Sequence, residues 1–459
     1  MYQIDFNHPA HIYFVGIGGI SMSGLAEVLR EAGFKVSGSD RQKTALTEAL
    51  ETKGITIFYG QHESNITPDI DCAVFTSAIH PDNPEYIAVK ESGIPSLTRA
   101  ELLGQMMRNY RTPIAISGTH GKTTTTSMIS EIMLQADLDP TLSIGGILKT
   151  IGGNIRVGHS DYFVTEACEY TNSFLSFFPR IGLILNIEED HLDFFKDIED
   201  IRLSFRRFAE LLPADGTLII NGGIPGLSEI TEGLSCRVIT FGTDSENDYY
   251  PEEITYGDMG CPTFSLHTAG SRDRVITLSV PGEHNVLNAL AALALADLLD
   301  IAPSVSAAAL KAFQGSERRF EYKGSIGGVT IIDDYAHHPT EITATLKAAA
   351  KYPHKTLWCV FQPHTYTRTK AFLEDFVKAL SLADKVVLAD IYAARETDTL
   401  GISSRTLMEE LKKSGCECYY FPSFDEIENF LLQNCINGDL LITMGAGDVL
   451  KIGENLLGI

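Results

Sequence analysis

The sequence predicts an α/β chain of three domains, each built on a mostly parallel sheet. Three observations carry that prediction. Strand-like and helix-like segments alternate from the N-terminus, and the alternation restarts at Pro113 and again near Glu317. Glycine-rich loops join a strand to a helix at Gly16–Gly24 and at Ser117–Thr124. The length of 459 residues fits three domains of roughly 100–200 residues each.

The first domain, residues 1–110, opens with the apolar run His11–Gly18, which ends in glycines. Ser21–Phe34 follows with Met22, Leu25, Ala26, Val28 and Leu29 at helical spacing. Lys35–Asp40, Ile55–Tyr59 and Asp71–Ile79 read as strands, and Ala100–Met107 as a helix. Asn109–Pro113 is the linker. The second domain, 111–316, starts with the strand Ile114–Ser117, a glycine loop and the helix Thr123–Ala136. Tyr162–Glu166, Ile181–Asn186, Thr217–Asn221 and Arg237–Gly242 are further strands, and Ile198–Leu212 is an amphipathic helix. Phe264–His267 and Val275–Val280, joined by AGSRD, read as a hairpin ahead of the Ala/Leu-rich helix Asn285–Leu299. In the third domain, 317–459, the strands are Val329–Asp333, Leu357–Phe361, Lys385–Ala389 and Leu440–Thr443, with helices starting near Thr340, Thr367 and Ser404.

Charge narrows the function classes. Lys plus Arg number 36 against 60 Asp plus Glu, a net charge of −24. Such a surface excludes bulk nucleic-acid binding and docking on anionic membranes, both of which need a basic face. It leaves anionic small molecules open, because oriented N–H groups and a few cations set the field inside one loop. The eight cysteines are scattered with no CxxC spacing, as expected of reduced thiols in a cytoplasmic protein rather than of a zinc site. No apolar tract is long enough for a membrane span, and Met1–His11 lacks the pattern of a signal peptide.

Five groups of residues carry chemistry. Ser117-Gly-Thr-His-Gly-Lys-Thr-Thr124 is a variant phosphate loop, with Ile116 where the usual first glycine stands. Gly118 and Gly121 let the backbone turn its N–H groups onto one anion. Thr119, His120 and Thr124 complete the loop, Lys122 reaches phosphates, and the Thr123 hydroxyl suits Mg²⁺. Gly16, Gly18, Gly19 and Ser21, with Asp40 ending the next strand, resemble a dinucleotide fingerprint, yet such a loop takes any diphosphate. Glu166, Glu169, Asp190 and His191 end strands on the edge where ligands lie, and suit metal. Asn285 and Asn288 suit an adenine edge, although Asn285 is equally a helix N-cap. In the third domain Arg318-Arg319, Asp333-Asp334, His337-His338, His364 and Arg368 offer phosphate cations, a base and a carboxylate clamp.

Taken together, GIGGISMSGLA, GSD, SGTHGKTTTT, EACEY, NIEEDHLD, PGEHNVLNALAA, RRFEYKG, DDYAHHPTEI, FQPHTYTRT and MGAGD resemble the Mur ligase family in order and over nearly the whole chain. The resemblance implies a Rossmann-like first domain for the UDP moiety of a substrate, a central P-loop ATPase α/β domain, and a Rossmann-like third domain for an amino acid. By that pattern Gly16, Gly18, Gly19, Ser21, Asp40 and Ser77 serve the UDP-substrate. Gly118 to Thr124, Asn285, Asn288, Arg319 and Asp334 serve ATP. Thr123, Glu166 and His191 serve Mg²⁺, and Lys122, His191, His338, His364 and Arg368 the catalysis.

Two departures stand out. The chain reads EACEY where better-known relatives read EADES. It also has Thr365 where PHRYTR carries an arginine, leaving Arg368 as the main clamp. The region Leu203–Arg207 lacks the carbamylated lysine of other branches, which points to the alanine-adding one. The substrates implied are UDP-N-acetylmuramate, L-alanine and ATP. The setting implied is cytoplasmic peptidoglycan precursor synthesis by a monomer or weak homo-oligomer, with no nucleic-acid or membrane partner. The nearest alternatives are a ligase recycling a ready-made peptide, an NAD-dependent oxidoreductase and a nucleotide switch.

Overall fold

The computed structural model describes residues 2–76, 78–257, 259–268, 271–394 and 396–459. The chain packs as two compact units. One comprises 1–187, 201–240 and 294–301; the other comprises 188–200, 241–293 and 302–459.

The first unit opens with β1 (His11–Val15), α1 (Ile20–Glu31), β2 (Lys35–Asp40), α2 (Ala45–Thr52), β3 (Thr56–Tyr59), β4 (Cys72–Phe75), α3 (Pro84–Ser92), β5 (Ser96–Thr98) and α4 (Arg99–Met107). The strands form a parallel sheet in the order β3-β2-β1-β4-β5. The order reverses beside β1, so the Gly16 loop leaves the sheet at its switch point. Its second, larger sheet uses β6 (Thr112–Ser117), α5 (Lys122–Gln135), β7 (Thr141–Leu148), β8 (Gly153–Arg156), β9 (Tyr162–Glu166), β10 (Ile181–Ile184), α6 (Ile198–Ala209), β11 (Thr217–Asn221), α7 (Leu227–Thr231) and β12 (Arg237–Phe241). The order is β12-β11-β10-β6-β9-β7-β8. The pairings from β11 to β7 are parallel and β8 is antiparallel.

The second unit holds the antiparallel β13 (Tyr249–Tyr256), β14 (Pro262–Thr268) and β15 (Ser271–Thr277), followed by α8 (His284–Leu298), which belongs to it as far as Leu293, and α9 (Pro303–Ala312). Next come β16 (Glu321–Ile326), β17 (Val329–Asp334), α10 (Pro339–Ala349), β18 (Leu357–Phe361), α11 (Tyr366–Ala371), α12 (Leu373–Leu380), β19 (Lys385–Leu388), α13 (Ser404–Lys413), β20 (Glu417–Tyr420), α14 (Phe424–Asn434), β21 (Leu440–Met444) and α15 (Leu450–Leu457). The sheet order is β16-β17-β21-β18-β19-β20, parallel except for β16. Strand alternation fills both faces. Ile332, Cys359, Phe361 and Ile442 pack with Ile342, Leu346 and Phe376, while Ile331, Trp358, Val360 and Leu441 pack with Ile427, Leu431 and Ile452.

Some expectations shift. The strand expected at Asp71–Ile79 stops at Phe75. The expected hairpin is the outer pair of three consecutive antiparallel strands, and its second strand begins at Ser271 inside the expected loop, of which Ala269 and Gly270 lie outside the described residues. β13 was unexpected because it carries Pro251 and two glutamates and is bulged between Glu252 and Thr255. The eight cysteines are free thiols. No helix among the described residues is long and apolar enough to cross a membrane.

Candidate active site

The phosphate loop leaves β6 where its pairing ends and enters α5. Gly118 (φ +142°) and Gly121 (φ +82°) adopt backbone angles that L side chains rarely take. The loop is braced by Asn186, just beyond β10. The Asn186 carbonyl accepts from Thr119 N–H at 3.2 Å, its side-chain oxygen from His120 N–H at 2.8 Å, and its amide donates back to His120 O at 3.1 Å. Asn186 was not singled out from sequence, since a strand-ending asparagine carries no signature of its own.

Lys122 folds back onto its own loop. Its Nζ donates to Gly118 O at 2.5 Å and Thr119 O at 3.1 Å, and pairs with Glu169 at 3.0 Å, with both side chains largely buried. Burial works against the ammonium, but Glu169, Cys168 and Glu166 together hold the lysine above its ordinary range. Thr123 Oγ donates to Glu166 Oε2 at 3.1 Å, and Gly145 N–H donates to Glu166 Oε1 at 2.5 Å. A Cβ at Gly145 would come within 2.6 Å of the Glu166 carboxylate, so a side chain there would displace that carboxylate. Thr124 lies in the first turn of α5.

The nucleotide-like loop of the first domain is tied by Asp40, whose carboxylate accepts from Gly18 N–H at 2.8 Å and Arg41 N–H at 2.8 Å. Gly16 (φ +84°) donates to Ser39 O, and Gly19 N–H turns back to Gly16 O. Ser21 Oγ accepts from Arg99 Nη1 at 3.1 Å. Ser77 lies outside the described residues.

In the second unit the remaining residues gather at the ends of β17, β18 and β21. The two arginines of RRF part company. Arg318 bonds Asp333 at 2.9 Å, Gly447 O at 3.0 Å and Gly445 O at 2.7 Å, so it braces the MGAGD turn. Arg319 lies over the Tyr335 ring at 5.3 Å, with Glu341 at 3.9 Å. Asp334 accepts from Phe320 N–H at 2.9 Å and Ala336 N–H at 2.7 Å, and burial pushes its pKa up to about 6 despite Arg319. Asn285 lies within α8, not at its cap. It donates to Pro281 O at 2.7 Å and accepts from Asn288 at 3.0 Å.

The histidines are heavily engaged. His338 caps α10, its Nδ1 accepting from Thr340 N–H at 3.3 Å and its Nε2 donating to Glu189 O at 3.1 Å. Glu341 closes this capping box, a role outside the motif reading. His364 Nδ1 accepts from Arg368 Nη1 at 3.2 Å, and its ring stacks on Tyr392 at 5.6 Å. Burial, then Arg368, pushes His364 down to about 4, and burial does the same to His337. Arg368 meets Asp190 at 2.9 Å through Nη2 and 3.2 Å through Nε. Burial opposes the Asp190 charge, yet Arg368 with His191 and His338 holds that carboxyl well below the ordinary range. His191 adopts φ +54°, with Nε2 3.8 Å from Asp190. The expected carboxylate clamp is thus occupied by a protein carboxylate, with which an amino acid would compete.

The oxygen donors of Thr123 and Glu166 suit a hard divalent cation, and Glu166 with Glu169 sets two carboxylates against one lysine. The chain can therefore bind a phosphate chain, neutralise it, and hold a carboxylate beside an imidazole.

Comparison with known proteins agrees with this layout. Residues 11–111 match the Mur ligase family, catalytic domain; residues 116–296 match the Mur ligase middle domain; residues 318–447 match the Mur ligase, glutamate ligase domain. The chain is 61% identical over 457 residues to a UDP-N-acetylmuramate–L-alanine ligase of Agathobacter rectalis, and 60% identical over 458 residues to that of Lachnospira eligens, with 100% of each chain covered in both cases. Among solved structures it is similar to the UDP-N-acetylmuramate-alanine ligase of Thermotoga maritima, with a TM-score of 0.81, 29% identity, and 98% and 99% of the two chains covered. It is also similar to a murein peptide ligase of Psychrobacter arcticus, with a TM-score of 0.71, 26% identity and 98% of both chains covered. On the phosphate loop, the strand-end carboxylates and this end-to-end similarity, the chain belongs to the Mur ligase family.

Proposed function

We propose that the chain is an ATP-dependent carboxylate–amine ligase joining L-alanine to the lactyl carboxylate of UDP-N-acetylmuramate, with release of ADP and phosphate. One observation carries the reading. The phosphate loop sets Lys122 beside Glu169 and Thr123 beside Glu166, in a chain matched throughout by proteins named UDP-N-acetylmuramate–L-alanine ligase. In this reading residues 1–110 take the UDP-substrate, 111–316 take ATP, and 317–459 take alanine. The protein is further read as cytoplasmic and as a monomer or weak homo-oligomer, with no nucleic-acid partner.

The chemistry explains the need for ATP. A carboxylate does not react with an amine in water, because oxide is a poor leaving group. The substrate carboxylate therefore attacks the γ-phosphorus and ADP leaves. The amine then attacks the acyl carbon of the acyl phosphate, and phosphate leaves. Lys122 and Arg319 are assigned to the charge that builds on the transferring group. Lys122 must first exchange Glu169 and the loop carbonyls for phosphate oxygens. Asn285 and Asn288 are assigned to adenine, and Asp334 to the nucleotide. Gly16, Gly18, Gly19, Ser21 and Asp40 are assigned to the UDP diphosphate.

Thr123 and Glu166 would hold a Mg²⁺, which offsets phosphate charge when bound; His191 is the second unit's metal residue in the family pattern. The alanine ammonium must lose a proton, and His338 or His364 takes it. Each is released from its present partner first: His338 from Thr340 N–H, His364 from Arg368.

Turnover of Lys122→Ala tests the assignment. A loss of roughly 10²–10³-fold is expected, the scale of one preorganised donor. Near-normal turnover would remove Lys122 from the mechanism.

A further inference from the structure

We propose that Glu396 is a positioning residue for the amino acid site, acting through the first turn of α11. The proposal rests on the reading that the segment His364–Arg368 receives alanine. α11 spans only Tyr366–Ala371, a length that does not hold a helix by itself. It is entered through Thr365 at φ +67°, a conformation that a β-branched residue rarely takes. Something outside the helix must fix both features.

Glu396 does so from across the following loop. Its Oε2 accepts from Tyr366 N–H at 2.6 Å and Thr367 N–H at 3.0 Å, and its Oε1 accepts from the Thr367 hydroxyl. Two N–H groups that no helical carbonyl can reach are thereby satisfied. A negative charge also sits at the positive end of the turn. The same loop straps the segment elsewhere. Tyr392 N–H donates to Pro363 O at 2.8 Å, Thr365 N–H donates to Tyr392 O at 2.9 Å, and Lys370 Nζ reaches Leu400 O at 3.2 Å.

Arg368 stands on this turn and reaches His364 and Asp190 from it. Glu396 therefore sets the direction of the guanidinium without touching it. Releasing the turn lets Thr365 relax and swings Arg368 off its line. Misplacement of that kind weakens the ligand that Arg368 reads, and leaves ATP on the other loops undisturbed.

Steady-state phosphate release with Glu396→Ala and Glu396→Gln tests this, with Arg368→Lys as the reference. Alanine KM should rise roughly tenfold in Glu396→Ala, the scale of a lost charged hydrogen bond, and less in Glu396→Gln, which keeps one carbonyl acceptor. KM for ATP should stay within about twofold. If Glu396→Ala does not fold, Thr367→Val, which removes only the hydroxyl bond, should still raise alanine KM. An unchanged alanine KM in Glu396 variants, with a raised one in Arg368→Lys, overturns the positioning role alone. An equal rise for ATP overturns it as well, since the residue then only stabilises the fold. An unchanged alanine KM in Arg368→Lys overturns the underlying reading, and the proposal with it.

Discussion

Lys122 and Glu169 form a buried ion pair beside the phosphate loop. The pair is buried, so removing the lysine takes an ammonium away from beside a buried carboxylate. Lys122→Ala should therefore lose stability as well as turnover, by about 3 kcal/mol for a broken buried pair. The double variant Lys122→Ala/Glu169→Gln should recover most of the melting temperature and none of the activity. A double variant that melts as low as the single one would show that the pair is not what costs stability. The histidines make a second prediction at this scale. His364, held down to about 4, is neutral and competent as a base through the neutral range. If it takes the ammonium proton, the acid limb of kcat/KM falls near pH 4, and Arg368→Gln moves that limb upward by removing a neighbouring positive charge. A limb unmoved by Arg368→Gln would leave the role to His338.

The phosphate loop is the element on which the site is built, and it is braced from two strands that the motif does not mention. Asn186 beyond β10 holds its crest, and Gly145 in β7 lets the Glu166 carboxylate approach. Gly145→Ala should push Glu166 off its bond with Thr123 and raise the Mg²⁺ concentration needed for half-maximal turnover, by roughly tenfold for one misplaced ligand. An unchanged Mg²⁺ requirement would count against Glu166 as a metal residue. The loop itself was legible because strand, glycines, Lys122, Thr123 and helix are contiguous in sequence. So were central parallel strands such as β1, β6, β10, β18 and β21, whose apolar runs announce burial on both faces. Asn186, Gly145, Glu341 and Glu396 were not legible. Each acts on residues brought near by folding, and a lone Asn, Gly or Glu has no periodicity to betray it. β7 and β13 escaped for a related reason: Gly145-Gly146 and Pro251 are residues that strand patterns exclude. The role split between Arg318 and Arg319 needed coordinates too, because two adjacent arginines look alike in sequence.

For the whole molecule, buried groups set the pH range of stability. His284, His337 and His364 are each pushed down to about 4, chiefly by burial. Between about pH 6.5 and 4 the unfolded chain binds more protons than the folded one, so stability is full above that window and falls as pH is lowered through it. Asp334, raised to about 6, and Asp333, also raised by burial, work the other way, but they are two groups against three. The melting temperature should drop steeply from pH 6.5 to 4. A flat profile would mean that these imidazoles protonate without cost. Amide formation also requires reacting atoms within about 3–3.5 Å, so ligands carried by different domains must be drawn together. Small-angle scattering with an ATP analogue and UDP-N-acetylmuramate should give a smaller radius of gyration than the free protein, and identical profiles would count against closure. The net charge of −24 is compatible with the polyanionic ligands proposed, because Lys122, Arg319 and Arg368 stand as cations among the site residues, beside internal carboxylates or an aromatic ring. The most direct test of the account is phosphate release from ATP with UDP-N-acetylmuramate and either L-alanine or the tripeptide L-alanyl-γ-D-glutamyl-meso-diaminopimelate, with the product weighed by mass spectrometry. The account predicts release with L-alanine and a product heavier by one alanyl residue. Release with the tripeptide alone, or with neither, would contradict it.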